Sequence, residues 1–134
     1  MRVVLRCGRS VVSRLASRSP LGVRVLPPAG DFCRVALVHT AATLVGGDRV
    51  RLDVDVGPGA SCELLEISAT VAHPTSGGSS IEKALEVTVA DGGTLVINEQ
   101  ALIVAQATDV RRTTTLALAG AARAAHREML VLDE

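Results

Sequence analysis

The sequence has almost no aromatic residues: it contains no Trp and no Tyr, and Phe32 is its only Phe. Its core must therefore be built from Val, Leu, Ile and Ala. The same lack removes the stacking platforms on which single-stranded nucleic acids bind. Fourteen basic and fourteen acidic residues give zero net charge, so no polyanionic partner is indicated. We expect no nucleic-acid partner.

Long hydrophobic runs are also missing, although 48% of the residues are hydrophobic and the mean hydropathy is +0.36. No uninterrupted apolar stretch approaches the ~20 residues that a membrane-spanning helix needs. We expect no membrane partner. The apolar excess instead indicates a buried sheet or a face that meets another protein.

Enzyme motifs are absent from the sequence. It has no Gly-x-Ser-x-Gly, no phosphate-binding glycine loop and no Rossmann fingerprint. Its histidines, His39, His73 and His126, are too far apart to chelate a metal locally. We expect a protein that is not an enzyme and binds no cofactor tightly; a hydrolase using Asp48 and Glu99 would need those carboxylates to converge.

The cysteines are three in number, and no Cys-x-x-Cys pair occurs. An odd number of widely spaced cysteines fits a reducing compartment better than a disulfide scaffold. The sequence therefore predicts a cytoplasmic protein.

The sequence does contain the alternation of apolar and polar residues that is typical of β-strands. It is strict over residues 48–56, where apolar side chains fall on one face and charged ones on the other. Further strands are predicted at 34–38, 60–69, 81–89, 94–106 and 113–118, with a loop at 70–80. We predict one all-β domain over residues 1–134, with stacked antiparallel strands, little helix, and a β-solenoid or two-layer sandwich architecture.

A weak internal repeat bears on that choice. Val54–Cys62 resembles Val87–Leu95, and Leu116–Ala122 is a fainter third copy. A recurrence of about thirty residues is typical of stacked solenoid units. Any all-β protein, however, repeats strand, turn and strand, and the sequence favours neither explanation.

The first thirty residues carry six Arg and no acid. This composition is shared by organellar transit peptides and by ordinary edge strands. We favour an edge strand at Val11-Val12 followed by a turn at 17–21, with 1–18 as a basic and flexible N-terminal segment. Pro27-Pro28 predicts a second turn or a short polyproline stretch.

The most distinctive stretch is Val38–Asp48, which ends in Gly46-Gly47-Asp48. The glycines allow a positive φ or the close approach of another segment. On its own, the run predicts a turn in which Asp48 bonds its own backbone. The sequence His-Thr-Ala-Ala-Thr-Leu-Val-Gly-Gly-Asp-Arg-Val nevertheless resembles the signature of the UreD (UreH) urease accessory proteins, typically Thr-Ala-Gly-Gly-Leu-Val-Gly-Gly-Asp-x-Leu.

Other segments carry the same resemblance. Ser19-Pro20-Leu21, Leu26-Pro27-Pro28 and Ala69-Thr70 are similar to family segments. Arg127–Leu132 is similar to a family strand, whereas the alanine-rich composition of residues 119–130 favours a helix. The sequence leaves helix and strand open there.

The resemblance implies a chaperone or scaffold for nickel insertion. Such a protein docks on the urease apoprotein and on other accessory proteins, including the nickel-delivering GTPase. It also implies an internal path for transient nickel, for which Asp48 and Glu99 are the candidates. Oxygen ligands hold Ni²⁺ less tightly than imidazole or thiolate, as transfer requires. The motif and interaction candidates are Thr40, Gly46, Gly47, Asp48 and Thr70.

Two alternatives remain at this point. Glu99 interrupts an apolar run, and a bulge would place it on the surface; if buried, it must be paired, hydrated or facing a cavity. Departures from the family pattern at 42–43, 66–68, 98–100 and 133–134 motivate a second hypothesis for the whole chain. It would be a truncated or degenerate UreD-like β domain with only residual protein binding.

Overall fold

The structure is a computed structural model that describes residues 2–8, 11–16, 21–41 and 43–133, the first two segments by their backbone. Within these residues the chain forms strands and turns, and no helix. The strands are β1 (Arg2–Gly8), β2 (Val11–Ala16), β3 (Leu21–Ala29), β4 (Phe32–His39), β5 (Thr43–Leu44), β6 (Arg49–Val56), β7 (Ser61–Glu66), β8 (Thr70–Ala72), β9 (Ile81–Val89), β10 (Thr94–Val104), β11 (Val110–Leu118) and β12 (Arg123–Leu132).

The strands form two sheets. One has the order β11-β9-β6-β1-β2, and the other has the order β3-β4-β7-β10-β8-β5, with β12 paired to β10. The chain passes from β6 to β7, from β9 to β10 and from β11 to β12, so each pair contributes one strand to each sheet. These three pairs are successive coils of a solenoid.

The weak repeat in the sequence reflects the stacking of these coils, because equivalent positions of the repeat pair with one another in register. Val54 pairs with Val87, and Val87 pairs with Leu116, in parallel ladders. The turns between sheets stack as well: the amide of Gly59 donates to the carbonyl of Asp91, and the amide of Arg123 donates to the carbonyl of Gly93. The solenoid explanation of the repeat is therefore confirmed.

The core lies between the two sheets and consists of aliphatic residues. Its fully buried side chains include Leu44, Leu64, Ile81, Leu95, Ile97, Leu102, Val35, Val56 and Val89. The alternation in β6 has the predicted sense, since Val50, Leu52, Val54 and Val56 are buried. Exposed large apolar side chains are concentrated in β11 and β12, at Leu116, Leu118, Met129, Leu130, Val131 and Leu132.

The all-β prediction is confirmed, but the strand directions differ from those expected. Only the hairpins β1–β2 and β3–β4 are antiparallel among the described ladders. The stacked strands are parallel, because every coil runs through the same sheet in the same direction. A single coil does not reveal this direction in its sequence, since alternation is the same in both kinds of ladder.

Several local predictions can also be compared with the structure. Residues 123–132 form a strand, which resolves the ambiguity at 119–130 in favour of β. Pro27 and Pro28 lie within β3, at a register shift in its pairing with β4, rather than in a turn. The loop predicted at 70–80 contains a short strand, β8. Val11-Val12 lies in β2, and most of the turn predicted at 17–21 lies outside the described residues.

No helix in the described segments combines the length and the hydrophobicity needed to cross a bilayer.

Candidate functional site

Charged side chains occupy positions on the inner faces of both sheets. In β9, Lys83 has the same alternation phase as the buried residues Ile81 and Leu85, so it faces the other sheet. Arg112 of β11 is the register partner of Lys83 in the next coil. The first sheet thus presents two stacked basic side chains to the interior.

The second sheet presents acidic side chains opposite them. Glu66 ends β7 in phase with the buried Leu64, and Glu99 lies one coil further along in β10. Glu128 of β12 follows in the next coil. We call these three carboxylates, with Lys83, Arg112, His39 and His126, the charged row.

The inner end of the charged row is formed around Glu66. Its Oε1 lies 2.6 Å from Nε2 of His39, and its Oε2 accepts a hydrogen bond of 2.8 Å from the backbone amide of Gln100. The ammonium of Lys83 lies 3.7 Å from Oε1 of Glu66 and 3.5 Å from Oε1 of Glu99. Lys83 therefore bridges the carboxylates of two successive coils.

The outer end of the charged row is formed around Glu99. Its Oε2 contacts the guanidinium of Arg112 and lies 3.3 Å from Nε2 of His126. Nε of Arg112 lies 3.0 Å from Oε2 of Glu128. The side chain of Glu99 is 6% exposed, whereas that of Glu128 is 53% exposed. The row therefore runs from the interior to the surface.

Two cavities follow the charged row. The inner one has a volume of about 20 Å³, and its polar lining consists of His39, Glu66, Lys83, Glu99, Arg112, Thr113 and Thr114. This volume suffices for about one water-sized particle. The outer one, of about 440 Å³, is lined by Arg112, Glu128 and Thr108 together with apolar residues of β10, β11 and β12.

Burial and charge shift the protonation of three members of the row. Burial lowers the pKa of Lys83, against the opposing effect of Glu66. Burial likewise lowers the pKa of His126, with Glu128 opposing. For Glu66, burial acts to raise the pKa, but the hydrogen bond from His39 and the charge of Lys83 outweigh it and leave the pKa lowered. Glu66 is therefore an anion near neutral pH.

A group able to hold a metal ion lies at the outer end. Glu99, His126 and Glu128 each offer one ligand atom, and these atoms lie within 4.8 Å of one another. One imidazole and two carboxylates form a donor set that suits divalent first-row metals. At present the two carboxylates are bound to Arg112.

Of the two residues predicted to line a nickel path, Glu99 is in the row and Asp48 is at a turn. The Oδ2 of Asp48 accepts a hydrogen bond of 2.8 Å from the amide of Val45, which is the simple turn interaction expected without the family resemblance. Within the described segments, no hydrogen bond or ion pair joins Asp48 to Glu99. The carboxylate beside Glu99 is that of Glu128, and a role for Asp48 in metal transfer stays a prediction.

The other motif residues are spread over the fold. Gly47 has a φ of +90°, and a side chain at Gly46 would collide with Ser79, so both glycine properties expected from the sequence are used. Thr40 is exposed after β4. Thr70 is 2% exposed in β8, and its hydroxyl has no hydrogen-bond partner among the described residues.

The bulge expected near Glu99 exists, but it does not place Glu99 on the surface. The pairing of β10 with β12 shifts between Asn98 and Ala101. Glu99 nevertheless remains 5% exposed. Within this bulge, the amide of Gln100 donates a hydrogen bond of 2.8 Å to Glu66.

Six members of the charged row are not predicted as site residues by the sequence: Glu66, Lys83, Arg112, Glu128, His39 and His126. A signal for Lys83 was present, because it is in phase with Leu85, Val87 and Val89. Glu66 is likewise in phase with Cys62 and Leu64. A charged residue in the apolar phase of a strand indicates a buried ion pair or a site, provided that the register of its neighbours is known.

The fold and the row define a class: a β-solenoid protein with charged groups stacked along its axis. The UreD urease accessory protein family matches residues 1–133. The chain belongs to this family.

Individual relatives agree with the family match. The chain is 41% identical over 125 residues to urease accessory protein UreD 1 of Streptomyces griseus, covering 93% of this chain and 49% of that protein. It is 35% identical over 130 residues to UreD of Frankia alni, covering 97% and 44%. It is 38% identical over 129 residues to UreD 1 of Saccharopolyspora erythraea, covering 93% and 51%. The chain thus spans about half the length of the curated relatives it matches.

Proposed function

We propose that this chain acts in urease maturation as a non-catalytic, cytoplasmic chaperone or scaffold for nickel insertion. It binds the urease apoprotein and other accessory proteins, including the GTPase that delivers nickel. Family membership supports the general role, since the relatives are named urease accessory proteins. Nickel is the cargo of this function and is held transiently.

The charged row is the observation that carries the nickel part of the proposal. Its three carboxylates and two histidines extend from the buried His39 to the exposed Glu128. Oxygen ligands with occasional imidazole bind Ni²⁺ weakly enough for passage between sites. The row offers such ligands in successive coils, with the Glu99, His126 and Glu128 group at its solvent end.

A pull-down after co-expression tests the docking part. The chain is co-expressed with urease subunits and the other accessory proteins, and urease activity is read with and without it. Co-purification together with higher activity supports the chaperone function. No association, with activity indifferent to the chain, would favour the second candidate, a degenerate UreD-like β domain; the sequence departures at 66–68 and 98–100 are its motivation.

Asp48 is tested separately from docking. We expect Asp48→Ala to lower urease activation while the chain still co-purifies with its partners. Unchanged activation would remove Asp48 from the proposed nickel path. Asp53→Ala, at a position outside the Gly-Gly-Asp motif, is the matched control and should leave activation unchanged.

A further inference from the structure

Arg112 differs from the other members of the charged row because it borders two cavities. Among the residues that the structure describes, it alone lines both the inner cavity of about 20 Å³ and the outer cavity of about 440 Å³. Its guanidinium contacts Glu99 on the inner side, and its Nε lies 3.0 Å from Glu128 on the outer side. A cation that moves along the row from the outer cavity to the inner one meets this side chain at both.

The carboxylates that Arg112 binds are two of the three ligands in the metal-binding group. Glu99, His126 and Glu128 could hold one ion between them, but Arg112 engages both acids. A guanidinium and a divalent cation compete for the same carboxylate oxygens. Both cannot be bound fully at the same time.

We propose that Arg112 is a gate: it occupies Glu99 and Glu128 in the absence of metal, and a divalent cation entering the row must displace it. This inference rests on the proposed function, because the cation is taken to be the cargo of that function. It adds a regulatory element to that function: the guanidinium of Arg112 neutralises the carboxylates of Glu99 and Glu128 when no metal is bound, and this competition weakens metal binding. Weak binding favours release to the next site.

The structure also indicates how the gate can open. The side chain of Arg112 is 17% exposed and borders the larger cavity, so the guanidinium has space into which it can swing. Lys83 remains beside Glu99 at 3.5 Å and beside Glu66 at 3.7 Å, and it holds the inner carboxylates while Arg112 moves. The two basic residues would then be displaced in sequence, the outer one first.

The test is Ni²⁺ binding to the purified full chain, measured by calorimetric titration with the metal alone. We expect Arg112→Gln to bind Ni²⁺ more tightly by on the order of tenfold, as for the removal of a competing ligand. Arg112→Lys keeps the positive charge, but a lysine ammonium cannot bind two carboxylates as the forked guanidinium does. The Ni²⁺ affinity of Arg112→Lys should therefore lie between those of the wild type and Arg112→Gln. Arg111→Gln is the matched control: Arg111 is the neighbouring residue, is 71% exposed and pairs with Asp109, and its replacement should change nothing.

Glu128→Gln separates failure of the gate from failure of the site. This ligand is half-exposed, so its replacement perturbs the fold little, and it should weaken Ni²⁺ binding. If Glu128→Gln weakens binding but Arg112→Gln binds no more tightly than the wild type, the site stands and the gate is overturned. If Glu128→Gln leaves binding unchanged, both the gate and the nickel path at this position are overturned.

Circular dichroism of each variant keeps the result interpretable. If Arg112→Gln does not fold, the test rests on Arg112→Lys alone. A Ni²⁺ affinity of Arg112→Lys equal to that of the wild type would then overturn the gate. The docking and activation experiments on the proposed function do not depend on either outcome.

Discussion

At the scale of single residues, the chain places its only lysine inside the molecule. Lys83 is 13% exposed at its side chain and lies between Glu66 and Glu99. A buried ion pair adds little net stability, because desolvation offsets attraction, but removal of one partner leaves a charge without compensation. The residues of the charged row should therefore be sensitive to neutral substitution.

We expect Glu99→Gln to destabilise the fold by about 3 kcal/mol, the lower end of the range for breaking a buried ion pair, because Arg112 and Lys83 lose a shared counter-ion but keep Glu128 and Glu66. Urea unfolding followed by circular dichroism measures this. Glu82→Gln is the surface control: its pair with Arg49 is 45% and 77% exposed, and its loss should change stability by less than about 1 kcal/mol. Equal effects of the two substitutions would contradict the burial of the row.

Stability should fall on acidification in two steps. Because the pKa of His126 is below its usual 6.5 in the folded state, the unfolded chain takes up that proton first as the pH falls through 6.5. Stability then decreases by up to about 1.4 kcal/mol per pH unit per proton. The pKa of Glu66 is also lowered, so its contribution is present above 4.5 and is lost as the pH falls through the folded value.

Urea midpoints between neutral pH and pH 4 measure both steps. His126→Gln should remove the step just below pH 6.5 and retain the one below 4.5. A pH profile of His126→Gln identical to that of the wild type would show that burial does not lower the pKa of the His126 imidazole.

At the scale of elements, the stacked turns between the sheets set the spacing of the coils. The turns Gly57–Gly59 and Asp91–Gly93 lie against each other, and the carboxylate of Asp91 accepts a hydrogen bond of 2.7 Å from the amide of Ala121 in the third turn. Each turn thus supports the next one along the solenoid. Little space remains between them for additional atoms.

Gly93→Ala should therefore destabilise the fold by roughly 1–3 kcal/mol, the usual range for overpacking. A methyl group at Gly93 would lie 2.8 Å from Cγ1 of Val89 and 3.1 Å from the carbonyl oxygen of Gly57. Gly22→Ala is the control, since its nearest neighbour would lie at 3.4 Å, and it should be close to neutral. Thermal unfolding of the two variants tests this prediction. Equal melting temperatures would contradict the close stacking of the turns.

Most elements could be predicted from the sequence, because alternation identifies a strand without knowledge of its partners. β6 and β9 were predicted on this ground. β8 was missed because three residues are too few to show a period, and β3 because its two prolines resemble a turn. A proline is tolerated in β3 since it is an edge strand of its sheet.

The candidate site was predictable only in part. Glu99 stood out as one acid in an apolar run, but its neighbours in space lie on other strands: Lys83 on the facing strand β9 of the same coil, and Arg112 and His126 on β11 and β12 of the next coil. Their proximity depends on the register of parallel ladders, which a single sequence does not encode locally. The choice of Asp48 as the partner of Glu99 followed the family motif, and the structure places other charged groups there.

At the scale of the whole molecule, a solenoid brings residues about thirty positions apart into one line. Here that line contains Glu66, Glu99 and Glu128 on one sheet, faced by Lys83 and Arg112 on the other. A globular core would seal such charges in a closed cluster, whereas a solenoid extends them along its axis to the surface. This geometry links the fold to the proposed transfer of a cation.

The most direct measurement is the nickel content of urease purified from cells that express all accessory proteins, with or without this chain. The proposed function predicts more nickel per urease active site, and correspondingly higher activity, when the chain is present. Urease with the same nickel content and activity in its absence would contradict the central claim that this chain assists nickel insertion.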